Sequence, residues 1–150
     1  KPMRKLVAGT FLTLDGVMQA PGGPDEDRDG GFAHGGWSVN YWDEGMGLHM
    51  DALMKRADAL LLGRRTYQIF AAHWPLVPEA DDPMAAKLNS VRKYVASRTL
   101  SDVEWKNSTL LQGDVAPAVR TLKNEPGGEI HVSIGDTHLS GAVLPLSRPP

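Results

Sequence analysis

Four short apolar runs in this chain stop in the same way, and that repetition constrains the fold more than any other feature. Ala59 to Leu62 stops at Gly63-Arg-Arg-Thr66, Tyr94 to Ala96 at Ser97-Arg98-Thr99, Thr109 to Leu111 at Gln112-Gly113-Asp114, and Glu129 to Ser133 at Ile134-Gly135-Asp136. Runs this short, with glycine or serine just past their ends, read as buried strands closed by turns. Helix signals stand between them. Met46, Met50, Leu53, Met54 and Ala57 lie on one helical face, the pair Asp82-Pro83 caps a helix carrying Met84, Leu88 and Val91, and Asp114 precedes Val115, Val119 and Leu122 before Pro126-Gly-Gly128. With a first strand over residues 5–12, closed by the turn Thr13 to Gly16, the order is β-α-β-α-β-β-α-β. Such alternation predicts an α/β fold, a three-layer αβα sandwich around a largely parallel sheet.

Open sheets of this kind bind ligands beyond the carboxyl ends of their strands, where glycine lets the backbone approach and helix N-termini offer unpaired N–H groups. The similar strand ends therefore suggest one site, built from Gly63, Arg64, Arg65, Thr66, Ser97, Arg98, Gly113 and Gly135. Charge indicates what it takes. Lys55 to Arg65 holds Lys55, Arg56, Arg64 and Arg65 against Asp58, and Lys87 to Arg98 holds four bases and no acid. The whole chain has 16 basic and 18 acidic side chains, so the basic clusters predict a local anion and not general binding to nucleic acid or a membrane surface. Arginine grips phosphate bidentately, which a solvated lysine face does less specifically. The alternative is that these arginines are solvated, or pair with Asp25, Glu26, Asp27 and Asp29 in the glycine-rich stretch 20–47. That stretch is too long and glycine-rich for an idle connection and reads as a functional lid or a disordered segment, with Trp37, Tyr41 and Trp42 near its end expected to anchor it to the body.

Other chemistries find little support. At 150 residues the chain is expected to be one domain spanning 1–150, with residues 1–3 read as an expression remnant. It has no cysteine, which excludes disulfides, thiolate metal sites and thiol catalysis. His34, His49, His73, His131 and His138 show no ligand spacing and are expected in turns or solvent, so no metal is expected. Ser133 lacks a nucleophile-elbow motif. The basic start followed by Leu6 to Leu14 has the order of a secretion signal, but Asp15 closes the run and no A-x-A-like site follows. No segment reaches the roughly 18 apolar residues of a spanning helix. A cytoplasmic protein is the expectation.

Gly63-Arg-Arg-Thr-Tyr67 after an apolar strand, with Ser97-Arg-Thr99 further on, resembles the dihydrofolate-reductase-like superfamily. The closest likeness is to the branch named for the riboflavin-biosynthesis reductase, the RibD C-terminal domain. The opening Val7-Ala-Gly-Thr-Phe-Leu-Thr-Leu-Asp15-Gly16-Val17, the run Ala57 to Phe70, and Trp105 to Lys123 carry the resemblance, which covers about residues 4–133. It implies binding of NADPH, with Arg64, Arg65 and Thr66 at the phosphates and Ser97 with Arg98 around the adenosine 2′-phosphate. The turn Asp15-Gly16-Val17-Met18 would lie beside the nicotinamide and, with the helix from Met46, line the substrate pocket. The implied reaction is hydride transfer to a small heterocycle, a pterin or a ribosylaminopyrimidine.

Two departures from the family pattern bear on activity. Gly47 stands where the folate enzyme has its acidic residue, which leaves Asp43, Glu44 and Asp51 as nearby substitutes or a pocket water as the proton donor; the candidate catalytic groups are then Asp15, Glu44 and Asp51. Ile134-Gly135-Asp136 replaces a Gly-x-Gly type turn, and the closing strands of the family fold are not recognisable in Thr137 to Pro150. The tail reads as altered or truncated, which keeps open a non-catalytic nucleotide-binding protein or an inactive family member. An exposed sheet edge would then invite a homodimer.

Overall fold

A computed structural model describes residues 3–133. The most apolar run, Ala57–Gly63, forms β2 at the centre of a five-stranded sheet. Around it lie β1 (Leu6–Gly9), β3 (Arg92–Ala96), β4 (Ser108–Leu111) and β5 (Glu129–Ser133), in the spatial order β1-β5-β2-β3-β4 with every neighbouring pair parallel. Ala59 and Leu61 face a core shared with Leu6, Ile130 and Val132 and with Val119 and Leu122 of α4 (Val115–Asn124). Leu60 and Leu62 face the opposite core. There they meet Met54 of α1 (Glu44–Arg56), Tyr67 of α2 (Arg64–His73) and Leu88 of α3 (Pro83–Ser90). Helices cover both faces of the sheet, so the α/β expectation of three layers holds. A strand enclosed on both sides needs a continuous apolar run and not an alternating one. Each leucine buried this way contributes roughly 1.5–3 kcal/mol.

The structure also corrects the element boundaries. Helix α2 departs from the sequence pattern: Gly63 signals a turn, but here it is the N-cap from which the chain turns directly into a helix. Thr66, Tyr67 and Phe70 give that helix an inward face, hidden in the sequence behind the charged pair Arg64-Arg65. Strand β1 stops at Gly9, paired with Ser133, and residues 10–12 leave the sheet. Helix α1 begins at Glu44 because Asp43 accepts a hydrogen bond from the Met46 amide at 2.7 Å. Only the C-terminal half of its apolar stripe packs: Met54 is buried, whereas Met46 is exposed. Asp82 caps α3 as expected, accepting from the amides of Met84 and Ala85. Asp114 holds the N-cap position of α4 without a side-chain hydrogen bond. Of the three expected loop anchors Trp37 donates from Nε1 to the Gln19 carbonyl at 2.9 Å, Trp42 is half exposed with its ring centroid 6.2 Å from that of Phe11, and Tyr41 is exposed. His131 is buried in β5 against Glu129, at 2.9 Å, not in a turn or solvent. Lys1-Pro2, the turn Ile134-Gly135-Asp136 and the stretch Thr137 to Pro150 lie outside the described residues.

Two buried cations fasten this sheet. The Arg4 side chain pairs with Asp58 at 2.6 Å and donates from Nε to the Gly128 carbonyl at 2.8 Å, joining the amino ends of β1, β2 and β5. Gly127 leaves it room, since a Cβ there would stand 2.6 Å from Asp58 Oδ2 and 2.9 Å from the Arg4 guanidinium. Lys93 of β3 is 0 % exposed, and its Nζ donates to the carbonyls of Leu88, at 2.7 Å, and Val91, at 2.9 Å. It thereby closes the C-terminal end of α3, where a cation also suits the helix dipole. The ammonium lies 4.1 Å from the centroid of Trp105, a cation–π contact. Trp105 in turn donates from Nε1 to Asn89 and from its backbone to the Tyr67 hydroxyl, tying α2 and α3 to the approach to β4.

Two stability measurements follow from these contacts. Gly127→Ala should force the Arg4–Asp58 pair apart and cost about 1–3 kcal/mol, read as a lower urea midpoint. An unchanged midpoint would show that the pair re-seats at no cost. Burial, helped by repulsion from Lys106, brings the Lys93 pKa down to about 8 from 10.5. The unfolded chain then holds this proton more tightly than the folded one, so the contribution to stability rises as pH increases from about 8 to 10.5. Relative to Lys93→Met, the wild-type protein should gain on the order of 1–3 kcal/mol across that window. Parallel pH profiles for the two proteins would exclude this behaviour.

Candidate functional site

Because all five strands run the same way, their carboxyl ends share one edge. Gly63 to Thr66, Ser97 to Thr99 and Gln112 to Asp114 leave β2, β3 and β4 there, as the sequence reading requires. The chain leaving β1 makes the turn Thr13 to Val17, held by Gly16 N–H to the Thr13 carbonyl at 3.0 Å and Val17 N–H to the Thr13 hydroxyl at 2.8 Å. Gly16, at φ 93°, and Gly113, at φ 81°, take left-handed conformations that favour glycine. A Cβ at either would meet nothing within 4 Å, so both border open space.

The basic clusters do not stay together in three dimensions. Lys55 and Arg56 end α1 at the amino edge of the sheet, where Arg56 pairs with Glu129 at 3.4 Å. Arg92 begins β3 at that same edge, and Lys93 is the buried lysine described above. Arg64, Arg65 and Arg98 remain at the carboxyl edge. Arg64 donates to Gln68, one helical turn on, at 3.3 Å. Arg65 pairs with Asp27 at 3.3 Å and with Asp29. Arg98 is exposed and has no ion-pair or hydrogen-bond partner among the described residues. Both readings of the arginines are thus realised, one at each position: Arg65 is engaged by the loop acids, and Arg98 is open to solvent. Ser97 shapes its own turn, its hydroxyl accepting from the amides of Thr99 and Leu100 at 3.2 and 3.0 Å.

A cleft of about 270 Å³ opens beside the start of α2, lined by Glu26, Asp27, Asp29, Arg64, Arg65 and Gln68. The N-cap Gly63 leaves the first-turn amides of this helix without a side-chain acceptor, and free amides there favour an anion. A larger cleft, about 680 Å³, runs along the other side of α2 past Tyr67, Glu79, Asp102, Glu104, Trp105 and Lys106. Its acidic lining, with Lys106 already paired to Glu79 at 2.7 Å, is poorly suited to phosphate. Gln19 and Gln68 are the participants that sequence reasoning does not place, whereas Asp27 and Asp29 belong to the acids it offers as partners for the arginines. The acid cluster itself was visible, but which arginine it meets depends on how a long loop folds back.

The acidic candidates differ in placement. A hydrogen bond from the Thr13 hydroxyl, at 2.6 Å, holds the exposed Asp15 carboxyl below its ordinary pKa. It is ionised at neutral pH and so carries no proton to give. Helix α1 runs directly into β2 at the amino edge, so its first residue, Glu44, lies toward the carboxyl edge. Asp51 is seven residues further along, about 10 Å down the axis at 1.5 Å per residue. Neither has a hydrogen-bond partner among the described residues. Gly47 lies within α1 near Trp42, its added Cβ coming 3.9 Å from the indole nitrogen. Gly135 lies outside the described residues.

Among the described residues no group of three or more His, Asp or Glu is placed to hold a metal ion, and no helix is long and apolar enough to cross a membrane. No curated protein matches the chain. The family model described as RibD C-terminal domain matches residues 4–141, taking in the turn after β1, the starts of α1 and α2, and the strand ends that gather at the carboxyl edge. The chain belongs to the RibD C-terminal domain family, whose fold is that of the dihydrofolate reductases.

Proposed function

We propose that this protein is an NADPH-dependent reductase that passes hydride to a small flat heterocycle, a pterin or a ribosylaminopyrimidine. Its family supports an oxidoreductase role in riboflavin biosynthesis. The observation that carries the choice of cofactor is Arg98, exposed just past the carboxyl end of β3 with no partner among the described residues. A cation left without an internal counter-charge at this edge suits an external anion, here the adenosine 2′-phosphate. The rest of the edge fits the same ligand. Arg64, Arg65 and the uncapped amides of α2 suit the bridging phosphates, and the open space at Gly16 and Gly113 admits the cofactor's backbone and ring.

NADPH, when bound, supplies the hydride, while the protein binds, orients and shields it. A proton must accompany the transfer. Asp15 is held ionised and Asp51 sits further down α1 than Glu44, which favours water in the pocket as the donor, with Glu44 the α1 candidate on the side of this edge. The reading without catalysis rests on Gly47, which puts no carboxylate at that point of α1. Its mark would be tight nucleotide binding with no oxidation of NADPH across a panel of pterins, pyrimidines and quinoid compounds.

Calorimetric titration should show NADPH binding at least tenfold tighter than NADH, since charge-assisted bonds to phosphate are each worth roughly 1.5–3 kcal/mol. Arg98→Ala should bring the two affinities together. Equal affinities in the wild-type protein would overturn the assignment. In the pH–rate profile, Glu44→Gln and Asp51→Asn should each retain activity within about tenfold, and a loss of about 100-fold in either would replace water with that carboxylate as donor.

A further inference from the structure

Arg65 occupies the first turn of α2, yet its guanidinium is already taken by the carboxylates of Asp27, at 3.3 Å, and Asp29. Polar contacts hold the segment that brings them. Gln19 Nε2 donates to the carbonyls of Asp27 and Asp29 at 3.3 and 3.0 Å, and the Asp29 amide donates to Asp27 Oδ1 at 3.0 Å. None of residues 25–31 is buried, and the segment ends in two glycines with positive φ, Gly30 at 66° and Gly31 at 77°, which border open space. The cleft of about 270 Å³ lies between this segment and α2. Two carboxylates on an arginine at a helix start present the charge and the oxygen acceptors that a phosphate would present.

We propose that residues 25–31 form a strap that closes over Arg65 in the ligand-free protein, with Asp27 and Asp29 standing where a phosphate of the ligand binds. The ligand must displace the strap to enter. This rests on the dinucleotide reading only for the identity of the phosphate. The exchange is energetically open, because exposed ion pairs are weak whereas arginine–phosphate pairs are bidentate and stronger. While the strap is closed the site is not competent, so the apparent affinity falls by the fraction of time that Arg65 is free.

The test titrates NADPH, and separately inorganic pyrophosphate, into the wild-type protein, Asp27→Asn/Asp29→Asn, Gln19→Ala and Asp25→Asn. The double variant should bind about three- to tenfold tighter. Gln19→Ala should shift the same way by less, because it loosens the strap and leaves both acids in place. Asp25→Asn should match wild type, since Asp25 pairs with Arg28 and not with Arg65. A double variant no tighter than Asp25→Asn overturns the strap. Tightening of the double variant without Gln19→Ala also overturns it, because the effect would then be through-space charge alone. If pyrophosphate follows the expected ranking while NADPH binds none of the proteins, the strap stands and the dinucleotide reading falls. If NADPH binds all four equally, the reading stands and the strap falls; if neither ligand binds any of them, both fall.

Discussion

Strand β2 is hydrogen-bonded along both edges and covered on both faces, and the rest of the molecule is arranged to satisfy it. A strand so enclosed must find parallel partners whose own connections run through helices, because a parallel neighbour cannot be reached by a tight turn. Helices α2 and α3 lead from β2 to β3 on one face, and α4 returns from β4 to set β5 between β1 and β2 on the other. One directional choice, the parallel pairing, thereby puts every strand's carboxyl end on a single edge. The site is a consequence of how the core is built.

Charge is sorted by the same geometry. Residues of one basic cluster in sequence, such as Arg56 and Arg64, are separated by the length of β2, so one ends at the amino edge with Glu129 and the other at the carboxyl edge. Lys93 leaves the surface altogether. Its burial costs solvation, which the carbonyls at the end of α3 and the face of Trp105 partly return. Arg4 does comparable work at the amino edge, where it joins three strands through Asp58 and Gly128. Structural cations and solvent-facing cations are indistinguishable in a list of charges. They separate by burial and by whether a counter-charge is supplied from within.

At the carboxyl edge the arginines form a graded set. Arg98 faces solvent, Arg64 shares a neighbour on its own helix, and Arg65 is held by a segment from elsewhere in the chain. Rigid strand ends and helix starts supply the fixed part of the site. The glycine-rich connection between β1 and α1 supplies the part attached through polar contacts, as is usual where a scaffold carries a functional loop.

Sequence alone determined the elements whose signals are local. The leucine run of β2, the Asp82-Pro83 cap of α3 and the glycine and serine strand ends follow from burial period and turn chemistry within a few residues, as does the gathering of Gly63, Arg64, Ser97 and Gly113 once the sheet is parallel. The motifs around Gly63 and Ser97 also carried the family. Tertiary structure decided what depends on distant partners. Helix α2 starts at a glycine that elsewhere in the chain marks a turn, and only Tyr67 and Phe70 packing into the core make it a helix. Trp42 and Met46 look like core residues in sequence but stand exposed, because hydrophobic spacing names a face without supplying the surface that covers it. Arg65 could meet solvent, ligand or acid with equal local logic. Its pairing with Asp27 and Asp29 required a loop some forty residues upstream to fold back, a contact whose free energy resides in neither segment alone.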